Sequence, residues 1–259
     1  MIKFHSHQRY LHIEGNMTNK ILFLVLTLVL TFTFASVPSH ANTEFTSNKI
    51  NTIIDVSNKT KKAALQSAVR VVHKENGSYG SGSYILIDEQ YFVLTAAHVV
   101  DVDSTFSVQN GFEVVSGDVV YRDDVNDIAF LKVQQMKSRT ALKYKVSNKH
   151  DLIGENLMYA GYPNSEDLFL FFGRVAGYRA DTIMLHSYAW MGASGSVVLD
   201  MSGRIVGVLH AIDVGYGFGG PQLVEDMVWV ASIHKVNLEK LKKNVAKRDV
   251  NIHKKIKTN

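Results

Sequence analysis

From Val69 onward the chain is written in short apolar runs broken by turn residues roughly every 8–12 positions. The runs are Tyr84–Ile87, Tyr91–Thr95, Phe112–Val115, Val119–Tyr121, Ile128–Val133, Leu157–Ala160, Arg174–Tyr178, Thr182–His186, Ser196–Leu199 and Ile205–His210. They are rich in β-branched and aromatic residues, and Asn76-Gly77 is a strong hairpin signal ahead of the first. Strands at this spacing, without helices between them, predict a sandwich or barrel rather than alternating strand–helix units. Helical spacing is confined to the flanks. Lys59–Ala68 predicts a short helix, and 231–245 offers Ile233, Val236, Leu238 and Leu241 to one face. The expected fold class is all-β, an all-β body closed by a C-terminal helix.

The amino-terminal residues follow a different pattern. Ile21–Ala35 is an unbroken apolar and hydroxyl run behind Lys20, followed by small residues at Ser39 and Ala41. A basic start, an apolar stretch of this length and a small-residue exit describe a secretory signal peptide over 1–41, cleaved after Ala41. A membrane-spanning anchor needs about 20 apolar residues and is the weaker reading. Met17 would start a signal peptide of ordinary length, leaving 1–16 upstream of the true start. Residues 42–64 read as a linker and 65–235 as the folded body. Composition narrows the chemistry further. With no cysteine among 259 residues, disulfides, thiolate nucleophiles and Cys-based zinc sites are excluded. The net charge of +4 is too small to argue for nucleic acid, and no cofactor or metal is expected. The positive charge is concentrated in 235–259, where nine Lys/Arg face two Asp/Glu. That basic helix or tail, 236–259, is a solvated face or a weak attractor for anionic surfaces.

Three motifs occur in a fixed order. Thr95-Ala-Ala-His98 ends an apolar strand, Asn126-Asp127-Ile-Ala-Phe-Leu-Lys-Val opens another, and Gly192-Ala-Ser194-Gly-Ser precedes a third. Acyl transfer by a serine needs an imidazole base, a carboxylate fixing its tautomer, and backbone N–H groups for the oxyanion. Glycines on both sides of Ser194 allow the tight turn that exposes a hydroxyl and aims the amides of Gly192 and Ser194 at one point. Asp123 and Asp124 compete with Asp127, and Ser196 with Ser194. Asp127 alone directly precedes an alternating apolar strand, and Ser196 lacks a glycine two positions earlier.

These blocks resemble the chymotrypsin-type serine peptidases, closest to the bacterial HtrA-type protease domains and glutamyl endopeptidases. Gly80-Ser-Gly-Ser-Tyr-Ile-Leu-Ile, Ala160-Gly-Tyr-Pro163 and Gly173-Arg-Val-Ala-Gly are similar to further family features. The resemblance spans roughly 65–235. It implies two six-stranded β-barrels with a lobe boundary near 140–150, a His98–Asp127–Ser194 triad, an oxyanion hole at Gly192 and Ser194, and a polypeptide substrate. It also implies a primary pocket walled by the 187–191 loop with Tyr188 on one side and by Val208–Ala211, with Leu209 and His210, on the other. His210 falls one residue later than the pocket histidine of glutamyl endopeptidases, so an approach to Asp127 is an equal reading. No aspartate stands where a pocket for Arg or Lys would need one. Ala193 replaces the aspartate that pairs with a new amino terminus in the animal trypsin branch, so activation by that ion pair is not expected. The roughly 25 residues after the body are too few for a PDZ domain. Phe169–Phe172 reads as buried strand, and Tyr216–Gly220 as a glycine-rich loop near the cleft. The expected function is an exported serine endopeptidase acting through an acyl-enzyme. The alternative is a non-catalytic binding or adhesion protein on the same scaffold.

Overall fold

The computed structural model describes residues 57–101, 104–217 and 220–257. Residues 57–67 are helical (α1). Six strands follow: Ala68–His73 (β1), Tyr79–Ile87 (β2), Gln90–Thr95 (β3), Phe106–Asn110 (β4), Glu113–Asp123 (β5) and Ile128–Val133 (β6). They pair in the order β1-β4-β5-β6-β3-β2, and β2 returns to β1 to close the first barrel. The short strand Leu142–Lys143 (β7) adds to β2 in parallel. The second set is Asn156–Gly161 (β8), Phe169–Arg179 (β9), Thr182–His186 (β10), Val197–Asp200 (β11), Ile205–Gly217 (β12) and Gly220–Ser232 (β13). It closes in the order β10-β13-β12-β11-β8-β9. Helix α2, Leu238–Lys257, ends the described chain. The fold is the expected pair of six-stranded barrels with a C-terminal helix, a chymotrypsin-like architecture.

Period-two geometry explains why the central strands read as continuous apolar runs, since side chains alternate between two faces and here both are buried. In β6, Ala129, Leu131 and Val133 enter the first barrel, while Ile128 and Phe130 point into the layer between the barrels. In β8, Leu157 and Tyr159 fill the second barrel, and Met158 and Ala160 face the same intervening layer. In β11, Val198 points inward and Val197 and Leu199 outward to that layer. Each fully buried side chain of this size contributes about 1.5–3 kcal/mol. The shared layer therefore holds the two barrels in one fixed relation, the condition for a site built from both.

The helices seal the edges of that layer. Thr60 and Ala64 of α1 are buried, and Thr60 Oγ1 donates to the Met201 carbonyl at 3.1 Å. Residues 57–64, read as linker, thus belong to the folded body, because the helical spacing places Thr60 and Ala64 on one apolar face. The rest of that linker and the signal segment 1–41 lie outside the described residues. At the other end, α2 begins at Leu238 rather than in the 231–237 stretch. Asn237 caps it, its Oδ1 accepting the Lys240 N–H at 2.9 Å, and Leu241 and Val245 are the buried pair. Ile233 lies in a 3-10 turn, Ile233–Lys235, after β13. The run Phe169–Phe172 is strand as expected but not buried: Phe169 is 46% and Phe172 49% exposed. They lie in the part of β9 that pairs with β8, Phe169 opposite Gly161 and Phe172 opposite Met158, while Phe171 packs against the core of the second barrel. Of the Tyr216–Gly220 segment, Tyr216 and Gly217 end β12 and Gly220 opens β13 opposite Gly217, while 218–219 lie outside the described residues.

Four tyrosines buried in these layers give the fold an alkaline limit. Desolvation, with a smaller Coulombic push from Tyr121, raises Tyr144 to about 12. Burial likewise raises Tyr159, Tyr84 and Tyr121. A raised folded-state value means the neutral phenol is favoured in the native protein. The associated stability is complete below the unfolded value near 10 and is lost as pH rises through the folded value. Stability is therefore expected to fall between pH 10 and about 12. Tyr144→Phe is expected to reduce that slope by at most about 1.4 kcal/mol per pH unit. Denaturant unfolding followed at each pH checks it, and an unchanged slope in the variant would sink the assignment.

Candidate active site

The site assembles where β3, the turn before β6, and the loop before β11 meet. After β3 the chain enters a 3-10 turn, Ala97–Val99, which carries His98 to the surface with its side chain 47% exposed. Asp127 occupies the turn into β6 with φ 52°, a left-handed conformation that Asp tolerates better than most residues. Its carboxylate accepts the His98 backbone N–H at 2.8 Å and the His98 Nδ1–H at 2.7 Å. A carboxylate only accepts, so the proton sits on Nδ1 and the Nε2 lone pair is left free to act as a base. Asp123 is committed elsewhere, accepting from Val125 N, Asn126 N and Asn126 Nδ2 within its own turn. Asp124 pairs with Arg122. Both are the solvated turn residues that the sequence allowed.

A second imidazole reaches the same carboxylate. His210 Nδ1 lies 3.5 Å from Asp127 Oδ2. Burial alone would raise the Asp127 pKa, but hydrogen bonding from His210 and His98 outweighs it and holds the carboxyl well below the usual range. The group is an anion throughout neutral pH.

The Ser194 loop is two turns in tandem. Ala193 N–H donates to Trp190 O at 3.0 Å, and Ser196 N–H donates to Ala193 O at 3.0 Å. Each turn has glycine at its third position with positive φ, 94° at Gly192 and 91° at Gly195, as a type II turn requires. Residues at the centre of such turns have no internal partner for their amides. Among the described residues, neither the Gly192 nor the Ser194 N–H has an acceptor. The Met191 carbonyl accepts from Asn164 N–H at 2.7 Å. In a trans peptide the N–H points opposite to the C=O, so this bond fixes the direction of the Gly192 amide.

Ser81 ties this loop to the first barrel. Its N–H donates to Ser194 O at 2.7 Å and its Oγ to Gly192 O at 2.7 Å. The same Oγ accepts the Tyr162 N–H at 2.9 Å, and its carbonyl accepts Thr95 Oγ1–H at 2.7 Å. A Cβ on Gly80 would lie 2.6 Å from Val99 and 3.0 Å from Ser194 O, so the Ser194 loop abuts the turn that carries His98. Neither Ser81 nor Asn164 was singled out in the sequence. The only signal was Ser81 between two glycines, which reads equally well as the start of a strand.

Other expected site residues fare unequally. Ser196 is buried, with its Oγ sealed against Gly161, and cannot present a nucleophile. Tyr188 is exposed in the 187–191 loop, and its carbonyl accepts from Tyr159 Oη. Leu209 is corrected: it is 1% exposed, packed inside the second barrel, and cannot line a pocket with its side chain. It contributes backbone instead, its carbonyl accepting Gly195 N–H at 2.7 Å. The pairing of β12 with β13 shifts between Leu209 and Ala211. The shift turns His210 out of the alternating pattern and toward Asp127. Among the described residues there is no group of three or more His, Cys, Asp or Glu that could hold a metal.

Residues 80–208 match the sequence model of the trypsin-like peptidase domain, and that stretch contains His98, Asp127, Ser194 and Ser81 but not Leu209 or His210. The chain belongs to the trypsin-like serine peptidases. Solved structures similar to this trypsin-like peptidase include a serine endoprotease from Yersinia pestis, at 22% identity and TM-score 0.57, covering 71% of this chain and 66% of that one. The Rv3671c protease from M. tuberculosis is similar in its inactive form, at 20% identity and TM-score 0.56, covering 73% and 93%. Its active form gives 20% identity and TM-score 0.54, covering 70% and 82%. At these identities the likeness is one of fold. No curated protein matches the chain by sequence.

Proposed function

We propose that this trypsin-like peptidase is exported and cleaves polypeptides through an acyl-enzyme on Ser194. Ser194 Oγ attacks the scissile carbonyl as its proton passes to His98 Nε2. Asp127 keeps His98 in the productive tautomer and stabilises the imidazolium. The Gly192 and Ser194 amides bind the oxyanion. Collapse of the tetrahedral intermediate breaks the C–N bond, and His98 returns the proton to the leaving amine. Water then repeats the sequence on the ester, restoring Ser194 and releasing the acid. The observation that carries this reading is the pair of unpartnered amides flanking the Ser194 turn. Donors without a protein acceptor are available to bind the charge that develops on the carbonyl oxygen in the transition state. Export rests on the apolar segment Ile21–Ala35 behind Lys20 with its small-residue exit. An extended substrate has a place to pair, because beyond Leu209 β12 bonds to β13 alone among the described strands.

The test is covalent. A fluorophosphonate is expected to label the purified protein once, and Ser194→Ala to abolish labelling. A labelled Ser194→Ala protein would overturn the assignment. A folded wild-type protein that neither takes label nor cleaves a broad peptide library would favour the binding-protein alternative.

A further inference from the structure

A cavity of about 250 Å³ lies on the outer face of the second barrel, lined by Arg179, Thr182, His210, Ala211, Ile212 and Trp229. One wall is His210, the residue whose other side contacts Asp127 at 3.5 Å, so the cavity is one side chain away from the proposed catalytic pair. Its remaining walls follow from the sheet. Thr182 pairs with Arg179 across the β9–β10 turn, and Ala211 pairs with Trp229 across β12 and β13. The free edge of β12 beyond Leu209 runs past it.

Among the described residues, no carboxylate answers the cation at this cavity. The Arg179 guanidinium lies over the Trp229 indole, 5.6 Å from its centroid. Among the described residues Arg179 has no ion pair. Asp181, two positions on, is held by Lys235 Nζ at 2.5 Å, and Asp127 is held by His98. A guanidinium lying over an indole at this distance leaves N–H groups free to donate, and their fork matches a planar carboxylate. Thr182 adds a hydroxyl, and Ala211, Ile212 and the indole give apolar walls for a methylene stem. These surroundings suit one short acidic side chain. They reject a lysine or arginine, which would set two cations together.

We infer that this cavity is a substrate subsite that selects Asp or Glu at one fixed position, a few residues from the cleaved bond. The substrates are then acidic stretches of polypeptide presented in extended form. The inference rests on the Ser194 reading for the location of the scissile bond, and the experiment separates the two.

Cleavage of a peptide library with Glu, Ala or Lys at each position around the scissile bond is expected to show one position where Glu exceeds Lys by about tenfold in kcat/KM. Arg179→Ala is expected to narrow that ratio to within about twofold, and Arg179→Glu to reverse it, by loss and inversion of one charge contact. Fluorophosphonate labelling of all three proteins should be equal, which distinguishes loss of the subsite from loss of Ser194 chemistry. If labelling fails in all, binding of the Glu peptide to the Ser194→Ala protein decides the matter. Binding weakened by Arg179→Glu supports the subsite. Absence of an acidic preference, or a preference or binding unaltered by Arg179→Glu, overturns it.

Discussion

Asp127→Asn is expected to lower kcat about ten-thousand-fold with little change in KM. The substitution keeps shape and volume, and the amide oxygen can still accept the His98 N–H now 2.8 Å from Oδ1. The other contact changes sign. Where Oδ2 now accepts from His98 Nδ1 at 2.7 Å, an amide nitrogen would donate. His98 can meet that donor only by moving its own proton to Nε2, which removes the lone pair that must accept the Ser194 proton. A fall of less than about tenfold would mean that Asp127 does not orient the base. Stability reports the same residue independently. The folded-state pKa of Asp127 is depressed, so its contribution is present above the unfolded carboxyl range near 3.9 and is lost as pH falls through the lower folded value. Acid unfolding of Asp127→Asn should accordingly be less steep than that of the wild type below pH ~4. Steady-state kinetics at neutral pH and acid titrations of both proteins check the pair of expectations.

The residues in that prediction were legible because each sits in a short local pattern. His98 follows an apolar strand, Asp127 precedes one, and Ser194 lies between glycines. What holds them in relation was not legible, because it runs through backbone groups distant in sequence. The Ser81 hydroxyl meets the Gly192 carbonyl across 111 positions, and the Met191 carbonyl is fixed by the amide of Asn164, which any residue but proline could supply. Much the same division applies to the fold. The strands legible in the sequence are a continuous apolar run buried on both faces, as in β6, or an alternating one, as in β10. Phe106–Asn110 was missed because Ser107, Gln109 and Asn110 dilute its pattern. Gly220–Ser232 was missed because its first half carries Gly, Pro, Gln, Glu and Asp. The 231–237 stretch has helical spacing, yet the strand continues to Ser232 and the helix waits for the Asn237 cap. Leu209, expected in the pocket, faces inward for a similar reason. A register shift in one ladder reverses which of two neighbours faces inward, and nothing in the residue types announces it.

Gly195→Ala is expected to destabilise the protein by about 2–5 kcal/mol, the sum of a backbone and a packing effect, and to remove labelling at Ser194. At φ 91° an L-residue is strained before any contact is considered, at about 1–2 kcal/mol. The added Cβ would also lie 2.0 Å from the Ser81 carbonyl oxygen and 2.2 Å from Thr95 Oγ1, distances at which something must move. Neither neighbour can yield alone. The Ser81 carbonyl holds the Thr95 hydroxyl, while the Ser81 N–H and Oγ hold the carbonyls of Ser194 and Gly192. Displacing one therefore shifts the strand leading to His98, the Ser194 turn and the Gly192 peptide together. The melting temperature should fall by about 4–20 °C for a domain of this size, with labelling lost even in the fraction that folds. Gly177→Ala is the matched control, since a Cβ there meets nothing within 4 Å and should leave both readings near wild type. Wild-type labelling in Gly195→Ala would show that the Ser194 loop does not depend on close approach to Ser81.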